Sequence, residues 1–132
     1  MRRIAVLLAL PFLLAGCAVR HDNMQKLRDL EFTVLERDEE PEELKEMISE
    51  SREEPFQIFY ADQGVLYIAE GYGRQPTTGY SVEVRELYET EDAVRIRTNL
   101  LGPEKGEKIK EIATYPYVVV QLDYIEKDVL FD

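Results

Sequence analysis

The chain has no tryptophan, one cysteine and one histidine among its 132 residues. A single cysteine excludes an internal disulfide, so any fold must be held by its core. The one histidine, His21, lies in a polar stretch with no apolar period. No Ser/His/Asp or Cys/His set can therefore be assembled within a folded domain. The acidic run Asp38-Glu39-Glu40-Glu42-Glu43 lacks the spacing of a calcium loop and reads as a helix start. Basic side chains are also few: 16 Lys and Arg stand against 27 Asp and Glu, a net charge of −11. Such a surface repels phosphate backbones and anionic lipid heads, so nucleic acid is not an expected partner. These absences point to a protein that is not an enzyme, with no catalytic residues, no metal ligands and no cofactor.

The cysteine has a telling position. Met1-Arg2-Arg3 is a basic start, Ile4 to Leu14 is apolar, and Ala15-Gly16 are two small residues before Cys17. The apolar stretch is broken by Pro11 and Gly16 and falls short of the roughly 20 residues that span a bilayer. The pattern is that of a secretory signal with a small-residue cleavage site, and it resembles the lipobox of bacterial lipoproteins. The resemblance implies a signal peptide over 1–16 and a diacylglyceryl thioether on Cys17. The protein is then held at the cell membrane or outer membrane, on the extracytoplasmic side, by its lipid. Ala18 favours the outer membrane in a two-membrane bacterium. Each buried methylene of an acyl chain contributes about 0.8 kcal/mol, and two or more chains hold stably. Removing residues 1–16 leaves 14 basic against 27 acidic side chains, a net −13. Attachment must then come from lipid rather than from a basic patch.

Residues 17–29 read as the lipidated N-terminus and a flexible tether, and residues 30–132 as one small domain. Glu31 to Glu36 alternates as a first strand. Pro41, Glu42 and Glu43, with Leu44, Met47 and Ile48 at helical spacing, predict a helix that stops before Pro55. Strands follow at Phe56–Tyr60 and Val65–Ala69, with a turn at Asp62-Gln63-Gly64 between them. Tyr80, Val82 and Val84 alternate with polar residues, as do Val94, Ile96 and Thr98. A hairpin there places Glu83 and Arg85 beside Arg95 and Arg97. Tyr117 to Leu122 is apolar on both faces and belongs in the middle of a sheet. Val129 to Phe131 is expected as a short last strand. The expected fold is α+β: a small, mainly antiparallel sheet of five to six strands with one N-terminal helix. An all-β sandwich with an added helix is the alternative.

The segment Arg74-Gln75-Pro76-Thr77-Thr78-Gly79-Tyr80 joins two strands. Pro76 stiffens it, Gly79 permits a positive φ, and Thr77 and Thr78 offer hydroxyls to hold the turn. Arg74, Thr77, Thr78, Gly79 and Tyr80 are the candidate binding loop. Gly71-Tyr72-Gly73 before it is followed by a strand, so no helix N-terminus is available to face an anion.

Gly71 to Val82, followed by Thr114-Tyr115-Pro116-Tyr117-Val118-Val119-Val120, resembles the C-terminal domain of the protease-complex subunit PrcB family, over roughly Phe56 to Tyr124. The resemblance implies a secreted or lipid-anchored accessory subunit, non-catalytic, whose partner is an extracytoplasmic protein such as a protease. Pro76-Thr77-Thr78-Gly79-Tyr80 also resembles the first binding loop of chagasin-type cysteine-protease inhibitors. There Gln75 replaces the usual asparagine, and Val82 stands where a tryptophan is common. Protease inhibition and a structural role in the cell envelope are the alternative functions.

Overall fold

A computed structural model describes residues 25–132; the signal segment, Cys17 and the tether as far as residue 24 lie outside the described residues. Among the described residues one α-helix, a 3-10 turn at Arg37–Glu39 and eight strands make up the domain: β1 (Arg28–Asp29), β2 (Thr33–Val34), α1 (Glu42–Ser51), β3 (Pro55–Asp62), β4 (Val65–Tyr72), β5 (Ser81–Glu89), β6 (Ala93–Leu101), β7 (Tyr117–Asp123) and β8 (Asp128–Phe131). The strands form two four-stranded sheets, ordered β1-β5-β6-β8 and β2-β7-β4-β3.

The packing follows from the apolar pattern. Leu87, Val94, Ile96 and Val129 of the first sheet bury against Leu66, Ile68, Val118, Val120 and Leu122 of the second. The other face of the second sheet, through Ala69 and Val119, buries Leu44 and Ile48 of α1. The domain therefore has three layers: sheet, sheet, helix. Successive residues of a strand face opposite sides. Val118, Val120 and Leu122 meet the facing sheet while Val119 meets the helix, which is why this strand is apolar throughout.

The domain is α+β as expected, but it has eight strands in two sheets rather than five or six in one. The stretch expected as a single strand from Glu31 to Glu36 forms only the two-residue β2, because the chain has just crossed from the first sheet to the second. Arg28 and Asp29, at the end of the expected tether, pair with Glu89 and Tyr88, whereas Thr33 and Val34 pair with Gln121 and Val120. Each sheet thus gains only a two-residue edge, and Val34 stays 53% exposed.

The pairing is mainly antiparallel as expected, with one exception, and one further expectation is corrected. β8 runs parallel to β6, because it arrives from a strand of the opposite sheet and is not constrained by a hairpin turn. The β5–β6 charge pattern is shifted by a bulge at Arg85, with Val84 opposite Thr98 and Glu86 opposite Arg97. Glu83 consequently faces Asn99, and Arg97 pairs with Glu86 at 3.4 Å. Arg95 pairs instead with Asp132 at 2.5 Å.

Candidate functional site: a pinned loop beside a tyrosine–arginine groove

The loop between β4 and β5 is held by main-chain and hydroxyl bonds to a distant part of the chain. Gln75 and Thr114 exchange both main-chain bonds, at 2.8 and 3.0 Å. The Thr78 N–H donates to the Lys110 carbonyl at 3.0 Å, and the Thr78 hydroxyl accepts the Lys110 N–H at 2.9 Å. The Thr77 carbonyl accepts the Thr114 hydroxyl at 2.7 Å, while the Thr77 hydroxyl donates to the Thr78 carbonyl at 2.9 Å. Both threonine hydroxyls are thus engaged within the protein.

Gly79 adopts φ +96°, and a Cβ there would lie 2.9 Å from Pro103 Cβ. Side chains rarely adopt that backbone conformation, so glycine is required twice over, by angle and by space. The Arg74 main chain donates to the Glu53 carbonyl at 3.1 Å, which sets the loop beside the end of α1. The Arg74 side chain is exposed.

The bonds to Thr114 also place the loop next to Tyr115-Pro116-Tyr117. A groove of about 480 Å³ lies there, lined by Arg37, Glu40, Lys45, Arg52, Tyr115 and Tyr117 among others. A shallower one of about 330 Å³ shares Arg37, Glu40, Tyr115 and Tyr117 and extends to Tyr80 and Val82. The Arg52 guanidinium stacks 4.2 Å from the Tyr115 ring centre, and Arg37 lies 5.7 Å from that of Tyr117. Such cation–aromatic contacts are worth about 0.5–1 kcal/mol at exposed sites.

Beneath them the Tyr117 hydroxyl donates to the Glu40 carboxylate at 2.9 Å. Glu40 is only 6% exposed. Burial raises its pKa, while the Tyr117 hydroxyl, Arg37 and Lys45 pull the other way. Burial, then the neighbouring Glu40, pushes the Tyr117 hydroxyl up to about 12. Tyr117 therefore stays a hydrogen-bond donor at neutral pH.

The structure brings Arg74, Thr77, Thr78, Gly79 and Tyr80 onto one loop and seats Tyr80 at the groove. Sequence reasoning did not single out Arg37, Glu40, Arg52, Tyr115 and Tyr117 as a group. Its one available signal was the Tyr115-Pro116-Tyr117 triplet, two aromatics fixed by proline before a buried strand.

Residues 66–123 match the family model described as PrcB C-terminal. The matched segment runs from β4 through β7 and includes the loop and both groove tyrosines. The match supports a PrcB-type C-terminal domain over that segment. No curated protein and no solved structure matches the chain.

Proposed function

We propose that this protein is a lipid-anchored, non-catalytic accessory module that docks on an extracytoplasmic protein, and that the partner is a protease. The observation that carries the reading is the match of residues 66–123 to the PrcB C-terminal family, whose domains are protease-complex-associated accessory modules. Arg74 and Tyr80 make the contacts. Thr77, Thr78 and Gly79 fix the backbone that presents them, since their hydroxyls and their φ are already committed. A loop ordered beforehand loses less conformational entropy on docking than a free one. The lipid on Cys17 confines the encounter to the membrane surface, which raises the effective concentration of a membrane-bound partner.

The test is cross-linking on intact membranes followed by affinity capture of the full chain. The unaltered protein should recover one consistent partner with protease activity, and Arg74→Glu with Tyr80→Ala should lose it while remaining on the membrane. Cys17→Ser should release a folded domain into the soluble fraction. Recovery of the lipid-bound protein alone would overturn the docking reading. Stoichiometric slowing of a papain-like protease by the purified chain would replace it with inhibition.

A further inference from the structure

The two sheets end in four edge strands, and three of them are short: β1 and β2 have two residues each and β8 has four. Shortness is one way in which sheets blunt their edges. The fourth edge, β3, has eight residues and among the described residues pairs only with β4. Proline and charge are confined to its ends, at Pro55 and Asp62. Between them Phe56-Gln57-Ile58-Phe59-Tyr60-Ala61 carries no charge, no proline and no bulge. The usual devices against strand addition are therefore missing from the middle of this edge.

The pairing pattern identifies which main-chain groups are open. Tyr72 donates its N–H to the Pro116 carbonyl of the β7 side at 3.1 Å. By the alternation of antiparallel ladders, Glu70, Ile68 and Leu66 also turn their main-chain groups toward β7. Their partners across β3 are Gln57, Phe59 and Ala61, whose N–H and C=O groups point away from the sheet. No described main-chain bond outside the β3–β4 ladder reaches these three residues. The Phe59 side chain lies on the same face as Ile68 yet is 56% exposed.

Charge selects the occupant. Exposed Glu53 and Glu54 precede the strand, and exposed Asp62 ends it. Glu43 stands near the Asp62 end, close enough that both acids bear on the Tyr60 hydroxyl. An antiparallel second copy would bring Asp62 of one chain beside Glu53 and Glu54 of the other, which is repulsive. We infer that the β3 edge, through Gln57, Phe59 and Ala61, accepts an added strand from a partner protein: an extended segment with an uncharged, β-prone centre and Lys or Arg at both ends. Main-chain bonds supply the attachment, Phe59 offers an apolar contact, and the acidic ends orient the segment. This site is separate from the Arg74–Tyr80 loop and does not rest on the accessory-module reading.

The test uses the full chain in detergent with two synthetic peptides, each with a central Thr-Val-Thr-Val-Thr. One carries two lysines at each end and the other two glutamates. Site-resolved amide hydrogen exchange should show at least tenfold slowing at Gln57, Phe59 and Ala61 with the lysine peptide and none with the glutamate peptide. Phe59→Pro removes an outward N–H without taking a bond from β4, so it should abolish the slowing in a folded chain. Ala61→Lys, which keeps the strand and opposes the basic flanks, should weaken it at least tenfold and serves if the proline variant does not fold. Equal slowing by both peptides, or none by either, overturns the proposal. Slowing that grows with protein concentration and no peptide also overturns it, since a second copy is then the occupant.

Discussion

Gly71 lies in β4 opposite Phe56, and the Phe56 ring rests on its backbone. A Cβ at Gly71 would meet that ring at 2.2, 2.7 and 2.7 Å. Gly71 does not have a positive φ, so the requirement is for space rather than for backbone angle. Phe56 also packs into the layer between α1 and the second sheet, with its ring centre 6.4 Å from that of Tyr117. Gly71→Ala must push the ring out of this layer, and forced overpacking costs about 1–3 kcal/mol. Without the clash the same change should help, because glycine within a strand is about 0.5–1 kcal/mol worse than alanine. The sign therefore depends on residue 56. In the unaltered chain Gly71→Ala should lower Tm by about 5–15 °C, taking about 4–5 °C per kcal/mol for a domain of this size. In a Phe56→Ala background, itself destabilised by about 2 kcal/mol, it should raise Tm by a few degrees. Thermal and denaturant unfolding of the four variants gives the coupling, expected at about 1.5–4 kcal/mol. Equal costs in the two backgrounds would show that the Phe56 ring is not what the glycine accommodates.

Two further outcomes concern ionisable groups. Glu89 accepts from Arg28 at 2.7 Å and Lys127 at 2.6 Å, and Lys127 also donates to the Thr90 carbonyl at 2.8 Å. Lys127 and then Arg28 hold its pKa below the ordinary 4.5. Its contribution is thus present above pH 4.5 and fades as pH falls through the depressed value. Glu89→Gln should cost stability at pH 7, and the gap in denaturant midpoint from the unaltered chain should narrow below pH 4.5; a gap independent of pH would contradict the charge-based account. Tyr117→Phe removes the hydroxyl that supports the buried Glu40 carboxylate, and an unmet buried acceptor costs about 1–3 kcal/mol. Because Glu40 has a raised pKa, the loss should be largest at neutral pH, where the carboxylate is charged, and smaller in acid. The urea midpoint measured across pH checks it, and an equal loss at all pH values would show that the carboxylate charge is not involved.

Local signals in the sequence located the elements whose cause is local. Leu44, Met47 and Ile48 at helical spacing gave the helix, and period-two alternation gave β5 and β6. The doubly apolar run from Tyr117 to Leu122 placed β7 inside a sheet, and the reason is its position between two other layers. The division into two sheets was legible only as the sandwich alternative, because alternation reports that a strand has a buried face and not what covers it. The bulge at Arg85 was equally hidden. One extra residue inverts the outward set from there on, and nothing in Val84-Arg85-Glu86 marks it.

The same distinction governs the candidate site. The positive φ at Gly79 could be foreseen from a glycine between threonine and tyrosine, since it is a property of the turn itself. What holds the turn could not, because its partners Lys110 and Thr114 are 32 and 37 residues further along from Thr78 and Thr77. The Glu40–Tyr117 bond spans 77 residues, so it exists only once α1 has docked on β7. Reading the threonines as exposed contacts was the natural result of seeing hydroxyls on a loop without seeing the strand-like segment that absorbs them. With the Thr77 hydroxyl donating and the Thr78 hydroxyl accepting inside the protein, the contacts proposed for this face shift to groups that have none of their bonding fixed by the turn. On the proposed reading those groups are the exposed Arg74 guanidinium and the Tyr80 ring at the groove.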